Sequence, residues 1–207
     1  MTDQFDTVAN DIRVKIAVGA CRFLASVART ETEEEAKLFI ARVSNEFRDA
    51  THNAYAYKIG GGEMALARQS DASEPAGTAG TPLLQAIENA GLTNVTVVGT
   101  RYFGGVKLGI GGLIRAYGAC ADAGLAEAGR ITEVSLEPLL ARVSYDHLGT
   151  VLHEVAAAGG EVEGVDYDEN GVSVRAKIPR RSMDALSKQL VNLTRGKIDL
   201  NFGHTRR

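Results

Sequence analysis

LLARVSYDHLGTVLHEVAAAGGEVEGVDYDENGVSVRAKIPRRSMDALSKQLVNLTRGKIDLNF, residues 139–202, spells out one folding unit element by element. Leu139, Ala141, Val143 and Tyr145 fall on alternate positions, the period of a half-buried strand. Leu148, Val151, Leu152 and Val155 then recur at helical spacing, and Gly159–Gly160 closes that helix. Asn170–Gly171 stands between EVEGVDYD and the alternating Val172, Val174, Ala176 and Ile178, where a hairpin tip wants two positive-φ residues. Ser182 is placed to cap a helix carrying Met183, Leu186, Leu190 and Leu193, Gly196 to stop it, and Ile198, Leu200 and Phe202 to form a last strand. The order β-α-β-β-α-β is the split-βαβ, ferredoxin-like pattern.

Upstream, the chain is larger and less regular. Residues 12–28 are strand-like around Val14, Ile16, Val18 and Phe23–Leu24. Thr32 and Glu35 form a capping box ahead of an amphipathic helix with Ala36, Phe39, Ile40, Val43 and Phe47. Residues 53–59 and 63–68 read as two strands around Gly60–Gly61–Gly62. Thr81–Pro82 opens a helix with Pro at its first position, Asn94–Thr100 is a buried-strand run, and Leu113–Ala128 is a helix rich in small residues. The class is α+β, with domains over 1–136 and 137–207 and a boundary near Ser135–Pro138.

RYFGGVKLGIGGLIRAYG, residues 101–118, is the most informative motif. A strand enters a loop with glycines at 104, 105, 109, 111 and 112, and a helix leaves it. Free N–H groups at a helix start suit an anion, and Arg101, Lys107 and Arg115 add positive charge. No acidic residue occurs between Glu88 and Asp122. The stretch EPAGTAGTP, residues 74–82, also runs into a helix start, so two glycine-rich loops are candidates for one shared site. The motif lacks the spacing of a dinucleotide-binding turn and the Gly-Lys-Ser/Thr of a P-loop. Its glycines have a plainer use as well, close packing of the helix on the sheet beside Ala116, Cys120, Ala121 and Gly124.

Composition bounds the function. In 207 residues, 44% are hydrophobic and 24% charged, ordinary for a globular protein, and no apolar run of about 18 residues marks a membrane span. The polar start MTDQFDTVANDIR carries no secretory pattern, and two cysteines, Cys21 and Cys120, make no disulfide framework; a cytoplasmic setting is expected. A net charge of −3 restricts any nucleic-acid role to a local patch. His52, His147, His153 and His204 are scattered, without H-x-x-x-H or C-x-x-C, so neither metal nor cofactor is expected.

RYFGGVKLGIGGLIRAYG closely resembles the signature of the YigZ/IMPACT family. SDASEPAGTAGTPLL (70–84) resembles the family's second motif, HNAYAY (52–57) its third, CRFLA (21–25) its N-terminal strand, and the β-α-β-β-α-β tail its bacterial C-terminal domain. One departure is Asp71–Ala72–Ser73, where relatives place an Asp-Asp-Gly turn. The resemblance implies an N-terminal α/β sandwich like ribosomal small-subunit protein domains and domain IV of elongation factor G. It also implies a C-terminal ferredoxin-like domain like domain V of that factor, and a link to translation.

The expected function is therefore a non-catalytic binding protein associated with translation. RNA or the ribosome would meet Arg101, Lys107 and Arg115 and the amides of Gly104, Gly105, Gly109, Gly111 and Gly112, with Tyr102, Phe103 or Tyr117 open to base stacking or to core packing. Three phosphate contacts give a salt slope of only about −2 to −3, weak binding. A second motif, His52, Glu74, Gly77, Thr78 and Gly80, flanks this patch. The alternatives are a protein-partner regulator that uses no nucleic acid, and a hydrolase with His52 as base beside Asp71 or Glu74 and Ser70 or Thr78. The nucleophile elbow G-x-S-x-G is absent, which weighs against the last. The oligomeric state is open.

Overall fold

The buried-strand run of Asn94–Thr100 folds as Val95–Tyr102, the middle strand of a five-stranded antiparallel sheet. The computed structural model describes residues 4–61 and 65–203, and the chain divides into a unit over Phe5–Glu133 and another that takes up from Val134. The first unit holds β1 (Gln4–Val8), β2 (Ile12–Val18), β3 (Cys21–Arg29), α1 (Glu33–Glu46), β4 (His52–Ile59), β5 (Leu66–Ser70), α2 (Gly80–Asn89), β6 (Val95–Tyr102) and α3 (Gly109–Ala128), followed by β7 (Arg130–Val134). The large sheet has the order β2-β3-β6-β4-β5, and β1 pairs with β7 in a small ribbon.

Alternation sorts the side chains of that sheet. Phe23, Ala25 and Val27 of β3 and Val95 and Val97 of β6 pack with Leu83 and Ile87 of α2 and Leu113, Tyr117 and Cys120 of α3. On the opposite face Ala28 and Val98 meet Phe39 and Val43 of α1, and Tyr57 and Ile59 meet Ala36. The result is a sheet with α2 and α3 on one side and α1 on the other. Each Leu, Ile or Phe buried outright contributes roughly 1.5–3 kcal/mol. α1 lies over β6 and β4. Arg13, Lys15 and Ala17 of β2 and Arg22 of β3 remain exposed on that same side.

Half of the expected capping box forms: Thr32 Oγ1 accepts from the Glu35 amide at 3.1 Å, while Glu35 Oε2 accepts from the amide of Glu31, one residue before the cap, at 2.8 Å. Several boundaries differ from the reading of the sequence. The 12–28 stretch is a hairpin, broken at Gly19–Ala20. Gly62 and the start of the 63–68 strand lie outside the described residues. α2 begins at Gly80, ahead of Thr81–Pro82. α3 begins at Gly109, one turn before Leu113, so three glycines read as loop belong to its first turn.

The second unit is β8 (Leu136–Val143), α4 (Leu148–Ala157), β9 (Glu161–Asp168), β10 (Gly171–Pro179), α5 (Met183–Leu193) and β11 (Ile198–Phe202). Its sheet order β11-β8-β10-β9, antiparallel throughout, is the split-βαβ arrangement. Leu139, Ala141 and Val143 with Val172, Val174 and Ile178 bury against Val151, Val155, Leu186 and Leu190. Two local expectations are corrected. The β9–β10 tip is Glu169–Asn170, and Gly171 opens β10 at φ 148°, where a Cβ would lie 2.4 Å from the Val143 carbonyl oxygen. Ser182 does not cap α5 through its side chain; its hydroxyl donates to the Ala158 carbonyl at 3.0 Å. No helix among the described residues is long and apolar enough to cross a membrane.

Candidate functional site

Alternation along β6 turns Val95, Val97 and Gly99 toward α3, and it carries Arg101 the same way. Arg101 is 6% exposed. Its Nη1 donates to Glu74 Oε1 at 2.7 Å, and the Tyr117 hydroxyl donates to the same oxygen at 2.9 Å. A Cβ at Gly99 would lie 3.0 Å from the Tyr117 ring, so the missing side chain leaves room for this phenol to cross the strand. The Tyr117 ring meets Phe23 edge-on at 5.1 Å. Arg101 Nη2 reaches Cys21 Sγ at 3.6 Å, and its guanidinium lies over the Phe23 and Phe103 rings at 5.9 and 5.5 Å. Its Nε finds no acceptor among the described residues.

His52, at the start of β4, extends the network. Its Nδ1 donates to the Ala72 carbonyl at 2.8 Å, and its Nε2 lies 3.8 Å from Glu74 Oε2. Burial alone would lower the Arg101 pKa, but the hydrogen bond and charge of Glu74 outweigh it and hold the guanidinium firmly protonated. Burial, followed by the Glu74 charge, pushes the Tyr117 phenol far above its ordinary value. This constellation is an internal ion pair with two polar neighbours. It fastens the strand that enters the glycine loop to the helix that leaves it and to the second motif.

The second motif has its own anion. Asp71 Oδ1 accepts from the amides of Ala79 and Gly80 at 2.9 and 2.8 Å, and Oδ2 accepts from Gly77 at 2.8 Å. Burial alone would raise the Asp71 pKa; the three backbone donors win and lower it. The start of α2 is therefore capped from within the chain. The turn between Asp71 and Glu74 keeps left-handed backbone at Ala72 (φ 47°) and Ser73 (φ 70°), the geometry that a glycine would hold at less cost. Thr78 Oγ1 donates to the Pro75 carbonyl at 2.7 Å, and Ser70 Oγ accepts from the Ala72 amide at 3.3 Å. His52 hydrogen-bonds to neither hydroxyl, so the described geometry does not pair His52 with Ser70 or Thr78. Among the described residues no group of three or more His, Cys, Asp or Glu could hold a metal ion. Both cysteines are free and buried, and burial pushes the Cys120 thiol up to about 12.

The sequence candidates thus divide. Arg101, Tyr117, Glu74 and His52 come together internally, and Gly77 and Gly80 spend their amides on Asp71. Arg101 is not one of the surface cations: its parity in β6 and the buried Glu74 carboxylate draw it inward, and the segment free of acids in sequence is not free of them in space. Gly104, Gly105, Lys107, Gly109, Gly111 and Arg115 are exposed, Gly112 is half-buried, and among the described residues no side chain caps α3. Lys107 and Arg115 have no ion-pair partner among the described residues. Phe103, Val106, Ile110 and Ile114, at 46, 65, 65 and 41% exposure, interleave with them. Tyr102, of opposite parity, points to the α1 side, where its hydroxyl donates to Asp49 Oδ1 at 3.0 Å.

Comparison with known proteins identifies the family of both units. Residues 20–125 match the Impact N-terminal domain family, and residues 142–197 match the domain of unknown function DUF1949. The IMPACT family member YvyE of Bacillus subtilis is 34% identical over 98% of this chain and 93% of its own length. The IMPACT family member YigZ of Escherichia coli is 31% identical over 86% of this chain and 88% of its own. A crystal structure described only as that of a hypothetical protein superposes with a TM-score of 0.76, at 28% identity, over the whole of both chains. Matches at these identities run through both units, and the chain belongs to the YigZ/IMPACT family.

Proposed function

We propose that this protein is a non-catalytic binding protein associated with translation, which docks on RNA or the ribosome through the Phe103–Arg115 segment. The observation that carries the reading is the exposure of that segment: among the described residues Lys107 and Arg115 have no acidic partner, and they flank the glycine-rich start of α3, which no described side chain caps. The internal Glu74–Arg101–Tyr117 network supplies a rigid base, so little ordering entropy is lost on docking. With Arg101 inside, two phosphate contacts remain, and the salt slope falls to about −1.5 to −2. Co-sedimentation with ribosomes at low salt tests the reading. The Lys107→Glu/Arg115→Glu protein is expected in the supernatant; sedimentation equal to that of the unaltered protein refutes the docking segment.

A second reading, a protein-partner regulator without nucleic acid, draws on Phe103, Val106, Ile110 and Ile114, apolar groups that RNA phosphates do not need. Nuclease treatment before affinity capture separates the two. Partners that stay bound after nuclease, and that Val106→Asp/Ile110→Asp releases, favour the second.

A further inference from the structure

On the α1 side of the sheet, where α1 gives out, a groove of about 470 Å³ opens over β2 and β3. Its walls include Lys15 of β2, Arg22 and Leu24 of β3, Tyr102 of β6, and Phe47 and Asp49 beyond the end of α1. The register explains why these residues meet. Lys15 pairs with Leu24 across β2–β3, and Arg22 pairs with Tyr102 across β3–β6, so all four side chains rise from one face. Both aromatic walls carry a guanidinium: Arg22 lies over Tyr102 at 5.0 Å, and Arg13 lies over Phe47 at 4.5 Å. Arg13 is neutralised by Glu46, its Nη1 at 2.6 Å from Oε1 and its Nη2 at 2.8 Å from Oε2. Lys15 and Arg22 have no acidic partner among the described residues. Asp49 accepts one hydrogen bond at the rim, from Tyr102, and keeps acceptor capacity to spare.

We infer that this groove takes one unstacked base of single-stranded RNA, with the flanking phosphates on Lys15 and Arg22. The volume admits a planar heterocycle with room to spare. An aromatic ring paired with a guanidinium is a stacking platform for any base, while Asp49 can only accept, which favours bases that present an amino group at their edge. The two cations at the walls, unpaired among the described residues, complement a phosphate chain and repel a basic peptide. The inference rests on the RNA reading above for its polymer but uses different residues: the docking segment supplies attachment, the groove supplies contact with a base.

The test is fluorescence anisotropy of the full chain with a labelled single-stranded RNA 10-mer at low salt, beside the same 10-mer made abasic. The unaltered protein is expected to bind the normal strand about 5- to 160-fold more tightly, the range of one base–aromatic stack. Tyr102→Leu should erase that difference while leaving abasic binding in place, and Lys15→Glu/Arg22→Glu should weaken both strands. Tyr102→Phe keeps the ring and should retain most of the preference, which separates stacking from loss of the Asp49 bond. Equal affinity of the unaltered protein for normal and abasic strands overturns the inference, as does a Tyr102→Leu protein that is folded by circular dichroism and keeps its preference. A groove that fails this test while Lys107→Glu/Arg115→Glu still abolishes ribosome co-sedimentation removes the base site alone. No binding of either strand, together with unaltered sedimentation of that double variant, removes both readings.

Discussion

Replacing Arg101 with methionine should destabilise the first unit more than any surface substitution in it. The Glu74 side chain is 3% exposed and that of Arg101 is 7%. Methionine fills much of the arginine stem's volume, so the change is chiefly electrostatic: Glu74 Oε1 keeps the Tyr117 hydroxyl at 2.9 Å and loses the guanidinium at 2.7 Å. Breaking a buried pair from one side costs about 3–5 kcal/mol, because the remaining charge stays desolvated. Removing both charges while keeping an acceptor for the Tyr117 hydroxyl, as in Arg101→Met/Glu74→Gln, should recover most of that loss, since no desolvated charge or unpaired donor is then left behind. Global unfolding of a two-unit chain is not a single two-state event, so the readout is native-state hydrogen exchange at β6 amides such as Val97 and Val98, whose opening reports this unit. The expected result is an opening free energy lowered by about 3–5 kcal/mol in the single variant and by less than half of that in the double. A single variant within about 1 kcal/mol of the unaltered protein would refute the reasoning, because it would mean that Glu74 is solvated or neutral without its partner.

Two further outcomes follow from the loops. Asp71 is held below the usual carboxylate range by three backbone donors, so its stabilisation is present above that range and is lost as pH falls through its lowered folded value; Asp71→Ala should cost about 1–2 kcal/mol at neutral pH and flatten the acid limb of a stability–pH curve measured by exchange at α2. A Cβ on Gly104 would sit 1.9 Å from the Ala20 carbonyl oxygen, whereas one on Gly105, at φ 88°, would touch nothing; Gly104→Ala should displace the loop and broaden the amide signals of Gly19–Ala20, and Gly105→Ala should cost only the roughly 1–2 kcal/mol of left-handed backbone.

What the sequence disclosed depended on period. The βαββαβ unit is legible because each core residue from Leu139 to Phe202 repeats at 2 or 3.6 and one face of its sheet is covered. The helix of Phe39 and Val43 announces itself through Thr32 and Glu35. The fate of Arg101 was also within reach: it keeps the parity of Val95 and Val97, and an inward arginine demands a carboxylate. Glycine density points to the loop amides instead. Asp71 was harder, since its role as the cap of α2 depends on a left-handed turn that brings residue 71 back to residues 77–80. The groove was not legible from pattern at all. Arg13 and Lys15 alternate visibly with Ile12, Val14 and Ile16, but their meeting with Arg22, Phe47 and Tyr102 needs the hairpin break at Gly19–Ala20 and the end point of α1.

The division of the signature residues bears on how such a motif is to be interpreted. RYFGGVKLGIGGLIRAYG looks like one basic loop, yet the chain places alternate members in opposite environments: Arg101 and Tyr117 are spent on Glu74, while Tyr102, Lys107 and Arg115 keep a face to solvent. A substitution at Arg101 that abolishes binding would therefore say little about contact, because it releases the base on which the loop stands. Lys107 and Arg115 can be reversed without touching that base. An effect there, with β6 exchange unchanged, separates a docking surface from its support.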